Sequence, residues 1–188
     1  MREPLSSDKL IPHKLQFVII PSEDTMKIFG LVQDSIVDGP GFRFSCFVQG
    51  CPHHCPGCHN PQSHDPSGGT EMTSDEVIRK MLSNPLTDGL TLTGGEPFAQ
   101  AEDCLTIAKA AHAHGLNVWS YSGWTYEYLL TEGSDAQKAL LRELDVLVDG
   151  RFILEQRSLS LAWRGSANQR VIDVQASLAA GEIVLREE

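Results

Sequence analysis

Three of the chain's five cysteines, Cys51, Cys55 and Cys58, fall within eight residues of one another in the stretch QGCPHHCPGCHNPQ. Clustered thiols in a chain without a secretory signal point to a reducing compartment, where they serve as metal ligands or redox groups more often than as disulfides. A C-x3-C-x2-C loop containing Pro52, Pro56 and Gly57 can turn three sulfurs inward around one compact polynuclear centre. A structural zinc site instead takes four protein ligands in a tetrahedron, with Cys46, His53, His54, His59 or His64 available for the fourth place. A cubane [4Fe-4S] cluster is bound through thiolates, and three of them leave one iron open to an outside ligand. Spacing alone leaves both chemistries open. The remaining cysteines read as packing groups, Cys46 on the apolar side of a strand and Cys104 on the apolar stripe of a helix. His53 and His54, next to prolines, read as loop surface. His112 and His114 read as side chains closing a helix, where positive charge suits the dipole.

The elements around this loop alternate. Residues 42–49 repeat with a period near two and lead straight into the cysteines, as a strand would. Thr73-Ser74-Asp75-Glu76 is a capping box ahead of Val77, Ile78, Met81 and Leu82. Residues 90–93 form a short β-rich run ending in Gly94-Gly95. Ala101, Cys104, Leu105, Ala108 and Ala111 then recur at helical spacing as far as Gly115, which is placed as a C-cap. A third strand is expected over 116–121, helical material over 125–130 and 137–144, and a fourth strand over 145–149. Residues 171–174 and 183–185 suggest late strands. The alternation predicts an α/β fold with a mainly parallel sheet. CPHHCPGC, GGEP, YSGWT and DGRF would then all open on the carboxyl side of that sheet, where such folds build their sites.

Composition narrows the function classes. Asp and Glu number 25 against 15 Lys and Arg, a net charge of −10, which argues against a nucleic-acid ligand. The apolar runs are far shorter than the roughly 20 residues of a membrane-spanning helix, and residues 1–25 carry neither a signal core nor a transit pattern. A cytoplasmic protein is expected. Its organisation is expected to be an N-terminal extension over 1–25 and a single domain over 26–188.

CPHHCPGC followed by TLTGGEP resembles the radical S-adenosylmethionine superfamily. DGPGFRF at 38–44, LTGGEPFAQ at 92–100, LVDGRF at 147–152 and RGSANQRVID at 164–173 make the chain most similar to the activases of glycyl-radical enzymes. The resemblance implies an incomplete TIM-like βα barrel. It also implies that Cys51, Cys55 and Cys58 hold a [4Fe-4S] cluster whose open iron chelates the methionine part of S-adenosylmethionine. Gly94, Gly95 and Glu96 match the segment that contacts the cofactor's amino group, a task suited to close backbone approach and hydrogen-bond acceptors. Many superfamily members carry an aromatic residue before the third cysteine, against the adenine. Here that position is Gly57, as in the reductase-activating subgroup, which makes His59 a candidate neighbour of the cofactor. Ser122, in the 120–123 loop, is a further candidate contact, although this loop also reads simply as a strand end.

The chemistry so implied is cofactor-based and requires no side chain as general acid or base. An outside one-electron donor, such as flavodoxin or ferredoxin, reduces the cluster. Reductive cleavage of the sulfonium then yields a 5′-deoxyadenosyl radical, which takes hydrogen from a glycine of the partner. The expected partner is anaerobic ribonucleoside-triphosphate reductase. The alternatives are a formate-lyase type of glycyl-radical enzyme, a small-molecule substrate, and a non-enzymatic zinc or iron–sulfur module. Asn168, Gln169 and Arg170 form the segment that would discriminate among partners, against a plain reading as a solvated turn.

Overall fold

The computed structural model describes residues 25–186, so almost all of the expected N-terminal extension lies outside the described residues. Eight strands form one sheet in the order β3-β1-β2-β4-β5-β6-β7-β8. These are β1 (Thr25–Ser35), β2 (Arg43–Val48), β3 (Thr70–Thr73), β4 (Gly89–Gly94), β5 (Asn117–Ser122), β6 (Val146–Asp149), β7 (Arg170–Asp173) and β8 (Val184–Leu185). Only the middle is parallel, through β2/β4, β4/β5 and β5/β6. The pairs β1/β2, β1/β3, β6/β7 and β7/β8 are antiparallel. The expectation of a mainly parallel sheet is corrected accordingly. Helical crossovers link the central strands, as parallel pairing requires, whereas β1 turns into β2 through residues 36–42 and β6 returns as β7 through the long segment 150–169, both of which allow reversal. The edge strands β3 and β8 are short, which limits the unpaired backbone they present.

Five helices complete the fold: α1 (Ser74–Met81), α2 (Ala101–Ala113), α3 (Tyr126–Thr131), α4 (Asp135–Arg142) and α5 (Val174–Ala180). The capping box read at Thr73 is present at the start of α1, and a second, Ser134 with Gln137, starts α4. Gly115 has φ +77° just beyond α2, the left-handed geometry that a glycine tolerates after a helix. One face of the sheet carries Phe44, Cys46, Val48, Leu90, Leu92, Val118, Leu147 and Ile172. This row packs with Val77, Met81, Cys104, Ile107, Leu140 and Leu141 of the helices into the main core. Both Cys46 and Cys104 are fully buried there, and burial lifts the Cys46 thiol to about 12, so these two thiols are packing groups as read. Trp119, Val146, Val148 and Val171 form a second, smaller core with Tyr121 and Trp163. Arg43 is buried, its guanidinium lying over Trp119 and donating to Thr91 Oγ1 and Asn117 Oδ1. Desolvation pulls its pKa down to about 10.

Among the described residues no helix is long and apolar enough to cross a membrane.

Candidate iron–sulfur site

The carboxyl ends of β2, β4, β5 and β6 lie side by side because their registers place Val48 opposite Gly94, Leu92 opposite Ser120, and Ser122 opposite Asp149. The four loops that follow therefore meet, as the alternation of strands and helices predicts. They surround a cavity of about 680 Å³ lined by Cys51, Cys55, Cys58, His59, Thr93, Gly94, Gly95, Glu96, Ser122 and Gly123, and by Tyr121, Phe152 and Trp163. Every sequence-derived candidate except Gly57 lines it. Gly57 stands at the rim with φ +72°, and a Cβ there would lie 2.8 Å from Leu154 Cδ1. Leu154, at the start of a short 3-10 turn, thus lies beside the position where many superfamily members carry an aromatic side chain. His59 is exposed and lies 5.2 Å, centroid to centroid, from the Phe152 ring.

The cysteine loop is fastened at its base. The Gly50 amide donates to the Ser63 carbonyl (2.8 Å) and the Cys51 amide to that of His64 (3.1 Å). Gln49 closes the returning chain through Nε2 to the carbonyls of Gln62 (3.0 Å) and Asp65 (2.7 Å). Within the loop the Cys58 amide donates to the Cys55 carbonyl (3.1 Å), and the Asn60 amide reaches Cys58 Sγ at 3.4 Å. Cys51 is half-buried, and desolvation raises its pKa, partly offset by the nearby backbone dipoles of His53 and His54.

The glycines of GGEP act as a latch. The Gly95 amide donates to the Val48 carbonyl (2.7 Å) and the Glu96 amide to that of Gly50 (2.8 Å), which ties the end of β4 to the residue before Cys51. A Cβ on Gly94 would lie 2.6 Å from Phe47 Cα, and one on Gly95 would overlap the Gly50 carbonyl oxygen. No larger residue permits this approach.

Glu96 is fully buried. Its Oε1 accepts from the Phe98 amide (3.1 Å), and its Oε2 accepts from Ser122 Oγ (3.2 Å) and the Gly123 amide (2.8 Å) and lies 2.9 Å from His53 Nε2. The carboxylate therefore joins three loops. His53 is not the loop-surface residue its proline-flanked setting suggests, because its side chain is only 3% exposed. The reason is a partner 43 residues away. Its neighbour His54 is exposed, as read.

A second carboxylate anchors the far side of the mouth. Asp149 accepts from the Tyr126 amide (2.8 Å) and from Arg170 Nε (2.9 Å), while Arg170 also grips both oxygens of Glu127. The hydrogen bonds from Arg170 hold the Glu127 carboxyl down at about 2. Gln169 is buried, accepting from the Gly165 and Ser166 amides and donating to the Gly150 carbonyl, and Asn168 donates to the Arg151 carbonyl. Residues 168–170 are therefore a scaffold beneath the DGRF loop and no solvated turn.

Among the described residues no three His, Cys, Asp or Glu side chains gather closely enough to hold one metal ion. Cys51, Cys55 and Cys58 line one cavity, and cysteine thiolates are the usual protein ligands of an iron–sulfur cluster. The cavity volume lies within the usual range for small-molecule and cofactor pockets.

Comparison with known proteins agrees with this chemistry. The 4Fe-4S single cluster domain family matches residues 37–172. The chain is 39% identical over 142 residues to the anaerobic ribonucleoside-triphosphate reductase-activating protein of Vibrio cholerae, an alignment covering 71% of this chain and 89% of the relative. The protein of the same name in Escherichia coli K12 is 35% identical over 144 residues, covering 72% and 91% respectively. That of Enterobacteria phage T4 is 32% identical over 142 residues, covering 72% and 86%. The chain belongs to the 4Fe-4S single cluster domain family and, within it, to the family of these reductase-activating proteins.

Proposed function

We propose that this member of the family is a radical S-adenosylmethionine activase that installs a glycyl radical on anaerobic ribonucleoside-triphosphate reductase. The observation that carries the reading is the gathering of Cys51, Cys55 and Cys58 on one cavity with the GGEP, YSGWT and DGRF loops. Cys51, Cys55 and Cys58 would hold the [4Fe-4S] cluster, which together with S-adenosylmethionine supplies one-electron reductive cleavage and hydrogen abstraction.

The chain's own residues bind, orient and enclose. Gly94 and Gly95 bring backbone to the cavity wall beside the cysteine loop, the placement needed to meet an amino group. Glu96 serves by holding that backbone, since its oxygens are engaged within the protein. Gly57, His59 and Ser122 complete the cofactor's surroundings, with Leu154 beside Gly57. The electron comes from a flavodoxin- or ferredoxin-type donor, and the protein works in the cytoplasm. The parallel centre and its single helix-packed core fit an incomplete βα barrel, within one domain over 26–188 preceded by an extension over 1–25.

The test is anaerobic incubation with reductant, S-adenosylmethionine and the reductase. Release of 5′-deoxyadenosine together with the electron paramagnetic resonance (EPR) signal of a glycyl radical on the reductase is expected, and Cys55→Ala abolishes both. Deuterium passes from glycine-labelled reductase into 5′-deoxyadenosine. Cofactor cleavage with no such transfer would move the assignment to another substrate.

A further inference from the structure

Two apolar side chains on the wall of the cavity face solvent. Leu159 and Val37, 89% and 73% exposed, are the most exposed large apolar side chains among the described residues, and both line the cavity that the three cysteines share. They come from the two flanks of the parallel centre, Val37 from the connection between β1 and β2 and Leu159 from the segment between β6 and β7. Neither segment is slack. Asp38, next to Val37, accepts from Ser35 Oγ (2.6 Å) and Ser45 Oγ (2.8 Å) through its carboxylate and from Thr91 Oγ1 (2.9 Å) through its carbonyl. Leu159 rides on a hairpin closed by the Ala167 amide donating to the Gln156 carbonyl (2.9 Å) and the Ser158 amide to that of Gly165 (3.3 Å). Trp163 pins the hairpin tip, meeting Trp119 edge-on with centroids 5.3 Å apart and holding φ at +54°, a backbone geometry costly for a bulky residue. A strained anchor that leaves a leucine four positions earlier in water is unfavourable for the chain alone, and exposed apolar groups beside a site mark a place for a partner.

We propose that Val37 and Leu159 are two jaws that close on the glycine-bearing segment of the reductase, and that the segment so clasped completes the wall of the cavity. The inference rests on the activase reading above and names the contact which that reading needs. A target glycine has no side chain to grip, so affinity must come from the residues that flank it. The jaws fit an extended segment with an apolar side chain on either side of the glycine. Hydrogen abstraction in the cavity also requires water to be excluded. The chain leaves its cavity between two exposed apolar groups, and the partner's segment supplies the cover, removing apolar surface of both proteins from water.

The test uses the full chain, reconstituted anaerobically and supplied with reductant and S-adenosylmethionine, while the reductase is titrated. The initial rate of the glycyl-radical EPR signal gives KM for the reductase. Release of 5′-deoxyadenosine without reductase reports the cavity's own chemistry, and gel filtration of the chain alone reports self-association. Leu159→Ser and Val37→Ser are each expected to raise KM about tenfold, the loss of one apolar side chain from a buried contact. Reductase-free release should stay at the native level. Leu159→Met, apolar and of similar volume, should keep the native KM. Where Val37→Ser does not fold, Leu159→Ser decides. A native KM in Leu159→Ser overturns the proposal, as does an equal loss in Leu159→Met. So does an equal fall in reductase-free release, which would place the leucine at the cofactor. A native chain that elutes as a dimer, with Leu159→Ser a monomer, also overturns it, because a second copy would then occupy the jaws. A native chain that cleaves the cofactor yet puts no radical on the reductase refutes the activase reading itself, a failure distinct from an unmoved KM.

Discussion

Two buried carboxylates stand at the mouth of the cavity, Glu96 after β4 and Asp149 at the end of β6, and their partners differ. Glu96 is met by two backbone amides, a hydroxyl and an imidazole. Asp149 is met by a guanidinium whose charge it shares with Glu127. The first node lies beside the cysteine loop and fixes it through directional hydrogen bonds. The second fastens the distal loop through charge pairing. Both acids belong to motifs that invite a direct chemical role, yet each serves as a joint between segments distant in sequence. Convergent loops need such joints because every buried polar atom requires a partner.

The sharpest break of this comparison is at the latch beside Glu96. Gly95→Ala drives a Cβ into the Gly50 carbonyl oxygen, so the ends of β2 and β4 must separate. Anaerobic reconstitution of this variant is expected to give little or no bound iron–sulfur cluster. Normal iron content would show that the loops do not depend on the latch.

The second node is expected to affect stability more than the cluster. Arg170→Ala leaves Asp149, 1% exposed, without its cation. Stranding a buried charge costs about 3–5 kcal/mol, and the partial exposure of Arg170 reduces this to about 2–3 kcal/mol. Urea denaturation of the metal-free protein measures it. A loss of bound cluster as large as in Gly95→Ala would erase the distinction between the nodes.

The smallest effect is expected at an ionic site on the helical side. His112, read as a simple helix-closing residue, lies between Glu143 (2.9 Å) and Asp145 (3.0 Å). Burial works against its imidazolium, but the two carboxylates outweigh it and raise its pKa. A raised folded-state value stabilises fully below the ordinary value of about 6.5 and is lost as pH rises through the folded value. The urea midpoint should therefore fall slightly between about pH 6 and pH 8, and His112→Gln should remove that slope. An unchanged slope in the variant would place the effect elsewhere.

Local signals carried much of this structure. The capping box at Thr73, the helical repeat up to Gly115 and the central strands are written in neighbouring residues, and together they imply the four convergent loops. Other elements are less legible. β1 and its partner β3 are announced by no periodicity, and α5 follows directly on β7 with Asp173 as its cap. The burial of His53 depends on Glu96, and the role of Arg170 on Asp149 and Glu127, 21 and 43 positions away. Such long-range polar pairings leave no trace in periodicity, because a histidine or arginine in a polar loop looks the same whether or not the fold brings it an acid.

The central claim is that three thiolates hold a [4Fe-4S] cluster with one iron open to S-adenosylmethionine. EPR of the dithionite-reduced, reconstituted chain, recorded before and after S-adenosylmethionine is added, tests it most directly. A [4Fe-4S]⁺ signal whose g-values shift on addition, with no such signal in Cys55→Ala, is the predicted result. A protein that binds zinc and no iron, or a cluster signal indifferent to the cofactor, would contradict the account.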